Sequence, residues 1–279
     1  MIVTARDGTR LAVHEAGSGP GLLCIPGGPG RASAYLENLG GLDASRTLHL
    51  LDSRGSGDSE LPGDRGSLAF PRLADDVEDV RVALSLDPAD VLGHSAGCPV
   101  ALLHAARHPD AVRRLVLVTP SGRPFGWAAD DLDAIRGLRA GEPWYAEAAE
   151  AAEIAPTANP ALRRELDRVM RPLWYGRWDE RTQAHAASAD EQVSLRAAAG
   201  YAPGPDYDAG AALAALKEIS ASVLIVVCEL DALTGVSVAE RFVDVLAGAS
   251  VAVIPGAGHF PWVDAPDAFR DAVATFLLR

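Results

Sequence analysis

The 279-residue chain is short of positive charge, of cysteine and of long apolar runs, and each shortage excludes something. Lys and Arg number 25 against 38 Asp and Glu, a net charge of −13. A surface of that sign repels phosphate backbones and anionic lipid, so neither nucleic acid nor a membrane is expected as a partner. A long stretch free of Asp, Glu, Lys and Arg, Val91 to Ala106, is broken by Gly93, Gly97 and Pro99 and is too short to cross a bilayer. Near the start, Arg6, Asp7 and Arg10 occupy the place where an export signal needs an apolar core, so the chain is expected to be cytoplasmic. The cysteines, Cys24, Cys98 and Cys228, are odd in number, sit in apolar surroundings and have no zinc-site or disulfide spacing; buried, reduced thiols are expected.

What is present is enough apolar residue, 48%, for a sizeable core. Short apolar runs at Gly21–Ile25, Thr47–Leu51, Val91–Leu92, Leu115–Val118, Val223–Cys228 and Val251–Ile254 read as buried strands. Helical patterns lie between several of them. Leu73, Val77, Val80 and Leu84 make one apolar stripe, with Asp75, Asp76, Glu78 and Asp79 expected to face water. Pro266 is placed to open a last helix through Phe269, Val273 and Phe276. This alternation predicts an α/β fold, a mostly parallel sheet with helices on both faces.

From Ser121 to about Gly210 no strand pattern appears, and Ala, Glu and Arg dominate between scattered prolines. The division expected is a core of residues 1–121 and 211–279 with an inserted helical cap over 122–210. Four of the five Trp and four of the five Tyr fall in or beside the insert. Large rings there serve a small core of their own or roof a pocket. Trp144, Tyr145, Trp174, Tyr175 and Glu142 are the candidates for touching substrate.

Gly93-His94-Ser95-Ala96-Gly97 follows one apolar run and precedes a helical stretch that closes at His108-Pro109. A G-x-S-x-G between strand and helix makes a sharp turn that strains the serine backbone and presents its hydroxyl, while the helix start aims amides at a developing anion. A serine hydroxyl is a weak nucleophile; it needs a base, and the base needs an acid to orient it. Both are available downstream on loops that follow late strands. His259 lies in Gly256-Ala257-Gly258-His259, and Asp231 follows the run that ends at Cys228, with Glu229 as the competing carboxylate. The order Ser, Asp, His suits a parallel sheet whose catalytic groups gather at the strands' C-terminal ends. Pro26-Gly27-Gly28-Pro29-Gly30, after the first parallel strand, can turn an amide into the site, and Gly28 and Ala96 are the expected oxyanion donors. Such chemistry needs only a proton shuttle and an oxyanion site. No metal or organic cofactor is implied, and no metal-ligand cluster is visible.

Taken together, PGGPG at 26–30, DSRGSGDS at 52–59, GHSAG at 93–97, Asp231 and GAGHFPWVDAP at 256–266 resemble the α/β-hydrolase superfamily along nearly the whole chain. Within it, the GGPG loop and the D-x-R-G-x-G-x-S segment resemble the proline iminopeptidase group, which carries a helical cap in the corresponding place. The resemblance implies a triad of Ser95, Asp231 and His259, and removal of N-terminal residues, often proline, from a small-molecule or short-peptide substrate. Pro26 stands where that group has His, and His94 and Ala96 flank Ser95 where it has G-G-S-W-G, a form closer to esterases and lactonases. The group holds a free amine with cap carboxylates, for which Glu142, Glu147, Glu150 and Glu153 are available. Epoxide hydrolases and haloalkane dehalogenases have Asp at the position of Ser95 and do not fit. Carboxylesterase, lactonase, C–C hydrolase and perhydrolase activities stay open, as does a non-catalytic ligand receptor on the same fold.

Overall fold

A computed structural model describes residues 1–278. Eight strands form one sheet: β1 (Ile2–Thr4), β2 (Arg10–Gly17), β3 (Gly21–Ile25), β4 (Thr47–Leu51), β5 (Ala89–His94), β6 (Val112–Val118), β7 (Ser222–Cys228) and β8 (Ser250–Ile254). Their spatial order is β1-β2-β4-β3-β5-β6-β7-β8. The six apolar runs are all strands of its parallel part. The two antiparallel strands at the N-terminal edge, β1 and β2, have no counterpart among the sequence expectations. β1 is the edge strand and β2 lies between it and β4; both have mixed burial, so no continuous apolar run marks them.

Successive side chains on a strand point to opposite faces, and here both faces are covered. Leu23, Ile25, Val91, Leu115, Leu117, Ile225 and Val227 enter one core cluster, while Leu22, Cys24, Leu92, Val116, Val118, Leu224, Val226 and Cys228 enter the other. The helices are α1 (Phe70–Ala83), α2 (Gly97–Arg107), α3 (Leu132–Gly137), α4 (Tyr145–Ile154), α5 (Pro160–Met170), α6 (Glu180–Ala187), α7 (Ala189–Gln192), α8 (Leu195–Gly200), α9 (Ala209–Leu216), α10 (Val238–Val245), α11 (Pro261–Asp264) and α12 (Pro266–Leu277). Residues of α1, α2, α9 and α10 close the first face, and α11, α12 and the turn around Tyr35 close the second. All three cysteines are buried and free, and burial pushes their thiols up from the ordinary value.

The stripe of α1 buries Leu73, Val77 and Val80 as expected, with Leu84 as its C-cap. One expectation fails: Asp76 does not face water but is buried against the guanidinium of Arg54, whose Nη1 also reaches Asp7 at 2.8 Å. Arg54 belongs to the DSRGSGDS segment. In the same segment the Asp52 carboxylate accepts from Ser33 N at 2.7 Å and Asp58 N at 2.9 Å, so these residues brace loops.

Between β6 and β7 the described chain has helices joined by turns and loops and no strand, with a single bridge, Arg31 to Val193. Helices α4 and α5 pack around a small cluster of Ala148, Ala151, Ala152, Met170 and Leu173. The ends of this stretch belong with the sheet: Phe125 and α9 lie in the first core cluster. No described helix is long and apolar enough to cross a membrane.

Candidate active site

The strand β5 runs into α2 through the GHSAG turn. Ser95 has φ 52°, a left-handed conformation that costs a non-glycine residue strain and needs surrounding structure to hold it. That structure is a close crossing of chains. A Cβ on Gly93 would lie 2.8 Å from the Gly97 carbonyl, and one on Gly97 would lie 2.6 Å from the Pro26 carbonyl. Ser95 N donates to Val118 O at 2.9 Å, anchoring the turn to β6.

At the end of β7, Asp231 is fully buried and its two oxygens have distinct partners. Oδ1 accepts from Leu233 N at 2.9 Å and Thr234 N at 3.1 Å. Oδ2 meets His259 Nδ1 at 3.0 Å and the Thr234 hydroxyl. Burial pulls this carboxyl up, but His259 and the hydrogen bonds outweigh it, and its pKa is below the ordinary value. Glu229, the competing carboxylate, is exposed and accepts from Gly256 N at 2.8 Å. The sequence order thus brings Asp231 to the imidazole and leaves Glu229 bracing the start of the same loop.

The His259 backbone is held from both sides. Its N–H donates to Trp174 O at 2.7 Å, and its carbonyl accepts from His94 Nε2 at 3.0 Å and Thr119 Oγ1 at 3.2 Å. The buried Asp264 carboxylate joins the loop to the insert by accepting from Gly258 N and Gly176 N, each at 2.8 Å. The rings of His94 and His259 are 4.8 Å apart, which sets the serine turn directly beside the His259 loop. Among the described residues Ser95 Oγ and His259 Nε2 have no hydrogen-bond partner, and they do not bond each other. A nucleophile–base hydrogen bond that is loose in the free protein and tightens on substrate is common in such sites.

Gly27 packs on the serine turn so closely that a Cβ there would lie 2.6 Å from His94 O, 2.8 Å from Ser95 Cβ and 3.1 Å from Ala96 N. Its own N–H is spent on the Tyr35 hydroxyl at 2.7 Å. The N–H groups of Gly28 and Ala96, the two expected oxyanion donors, have no acceptor among the described residues. The Gly27 carbonyl accepts from Arg31 N at 3.4 Å. Across a trans peptide the N–H points opposite to the carbonyl, so this contact turns the Gly28 N–H away from Arg31.

The aromatic candidates divide. Trp144 and Tyr145, at the start of α4, are partly exposed, and Trp174 supplies its carbonyl to His259. Tyr175 does not roof a pocket: it is 1% exposed, stacks on Phe260 with centroids 5.0 Å apart, and its hydroxyl meets His185 Nδ1 at 2.8 Å. Glu142, Glu147, Glu150 and Glu153 are all exposed. Tyr35, Thr119, Thr234 and Tyr201, whose hydroxyl donates to Ala96 O, were not foreseen; no motif marks them. A possible cation trio, His14, Asp52 and Asp58, lies within 4.8 Å of one another, yet Asp52 already has both oxygens committed to Ser33, Asp58 N and His14.

A family model described as the alpha/beta hydrolase fold matches residues 20–266. The proline iminopeptidase of Heyndrickxia coagulans is 30% identical over 116 residues, 42% of this chain and 40% of that protein. The 2-hydroxymuconate semialdehyde hydrolase of Pseudomonas sp. strain CF600 is 36% identical over 144 residues, 50% of this chain and 49% of that one. The matches therefore span about half, or less, of the length of these curated relatives. Among solved structures, an esterase from Exiguobacterium antarcticum superposes with a TM-score of 0.76 at 19% identity, covering 100% of this chain and 99% of that one, a likeness of fold.

Proposed function

The chain belongs to the α/β-hydrolase fold family, and from that premise we propose that it is a hydrolase in which Ser95, His259 and Asp231 cleave an ester or amide bond of a small substrate through an acyl-enzyme. The buried Asp231–His259 pair beside a strained serine turn carries this reading. His259 Nε2 takes the Ser95 proton as Oγ attacks the carbonyl carbon, and the carbonyl oxygen becomes an anion facing the Gly28 and Ala96 N–H groups. As the tetrahedral centre collapses, His259 gives that proton to the departing alcohol or amine. Water, deprotonated by His259, then attacks the acyl carbon and restores Ser95. Asp231 keeps its charge throughout, fixing the ring tautomer and stabilising the imidazolium. The chemistry needs no metal or organic cofactor.

The resemblance to proline iminopeptidases supports removal of an N-terminal residue from a short peptide. A carboxylesterase or lactonase reading is favoured by a different observation: all four glutamates available to hold a free amine are exposed, and none hydrogen-bonds to the serine turn or the His259 loop. A panel of p-nitrophenyl esters, lactones and proline p-nitroanilide separates the two. Preference for the anilide establishes the peptidase, and ester or lactone turnover without it establishes the other. A fluorophosphonate probe tests the shared mechanism. Rapid labelling, abolished together with turnover in Ser95→Ala, is expected; turnover retained in that variant would overturn the mechanism, and absence of both in the native protein would leave a ligand receptor.

A further inference from the structure

Outside the three residues just assigned, the structure holds a hydrogen-bonded chain in which every proton has only one place to be. Gly27 N–H lies 2.7 Å from Tyr35 Oη, Tyr35 Oη lies 2.7 Å from His94 Nδ1, and His94 Nε2 lies 3.0 Å from the His259 carbonyl. A backbone N–H can only donate and a backbone carbonyl can only accept. His94 therefore carries its proton on Nε2 and accepts at Nδ1, and Tyr35 accepts from Gly27 while giving its single proton to His94. The chain has one arrangement of protons and no slack. His94 is 1% exposed, with Tyr35, His259, Phe260 and Trp262 around its ring. Burial, helped by the nearby His259, Arg31 and His185, holds its pKa well below the ordinary histidine value, in keeping with a neutral ring.

We propose that Tyr35 and His94 are positioning residues that lock the Pro26–Gly27 peptide, the unit before the Gly28 N–H, and the His259 loop into a single register with Ser95. One end of the chain holds Gly27, and the next amide along, Gly28 N–H, is the free donor. The other end holds the carbonyl of the base. His94 itself is the residue before the nucleophile, so one imidazole references all three loops of the reaction to each other. Tyr35 is in turn fixed through its own carbonyl, which accepts from His185 Nε2 at 2.9 Å and Trp262 Nε1 at 3.3 Å. The ring is held as well, by Phe260 edge-on and by the Arg31 guanidinium 4.4 Å from its centroid. Both ring nitrogens of His94 are spent, so His94 does not serve as a second base.

The proposal rests on Ser95 being the nucleophile, and the test keeps the two apart. Tyr35→Phe keeps the ring and its packing but leaves Gly27 N–H and His94 Nδ1 without partners. Misplacing a donor or a reacting atom by a fraction of an ångström costs about 10- to 100-fold in rate. We expect kcat on a p-nitrophenyl ester to fall by that factor with KM within about threefold, and the rate constant for fluorophosphonate labelling to fall in parallel. Labelling is followed to its end point, which counts active sites. A merely structural hydroxyl would lower the end point or the melting temperature and leave the rate per labelled site native; that result overturns the proposal. His94→Phe provides an independent check. Because the two side chains act as one chain, the double variant should be no slower than the slower single variant, whereas multiplying losses would refute a shared relay. If instead Ser95→Ala still turns over, it is the serine mechanism that fails.

Discussion

Replacing Asp231 by Asn is the most direct perturbation of the proposed base, His259, because the surroundings of the carboxylate dictate how an amide must sit. The Oδ1 site faces the N–H groups of Leu233 and Thr234, which can only donate, so the amide oxygen is forced there. The amide NH2 is left at the Oδ2 site, opposite His259 Nδ1 and the Thr234 hydroxyl. Thr234 can accept there by turning its own proton to Thr119 O, which lies 3.4 Å away. His259 Nδ1 can accept only if the ring carries its proton on Nε2 instead. That tautomer presents a donor to Ser95 where an acceptor is required, so the base is disabled although every hydrogen bond around position 231 is satisfied. The expected loss in kcat is about 10⁴-fold, equivalent to roughly 5 kcal/mol of transition-state stabilisation, with stability within about 1 kcal/mol of native. Initial rates on a p-nitrophenyl ester measure the first quantity, urea unfolding the second, and ¹⁵N shifts of the His259 ring report the tautomer. A variant that turned over within tenfold of native, with the proton still on Nδ1, would refute the reasoning.

Gly27→Ala should separate the oxyanion loop from the serine turn, since the new methyl would meet His94 O at 2.6 Å, a backbone atom that cannot swing aside. A loss of about 100-fold or more in kcat is expected, against a native rate for Gly63→Ala, where nothing lies within 4 Å; equal rates for the two would contradict the packing. Acid should destabilise the fold well before carboxylates protonate. His104 and His185 are held near a pKa of about 4, chiefly by burial, from an ordinary 6.5, so both stay neutral in the fold while the unfolded chain takes up protons below 6.5. Their contribution is fully present above pH 6.5 and is lost as pH falls toward 4. Each removes up to about 1.4 kcal/mol per pH unit in that window. Unfolding free energies at pH 7.5, 6 and 5 should show the slope, and a flat profile would mean that these histidines are not buried neutral.

The sequence by itself determined the strands that bury both faces, because a continuous apolar run between turn residues has few other uses. It also carried the serine turn and the loops of His259 and Asp231, whose glycines and positions after strands follow from local chain geometry. The antiparallel strands β1 and β2 escaped it, since a strand of mixed burial shows no such run. Asp76 was read as facing water from helical spacing, which knows nothing of Arg54 arriving from another loop. In the same way, only the tertiary structure decided that Asp231 and not Glu229 meets the imidazole, that Tyr175 is sealed beneath Phe260, and that Tyr35 joins Gly27 to His94. Periodicity and motif spacing record what a residue does along its own segment. Hydrogen bonds between residues 27, 35, 94 and 259 depend on where the crossovers of a parallel sheet return the chain, which is a property of the assembled core.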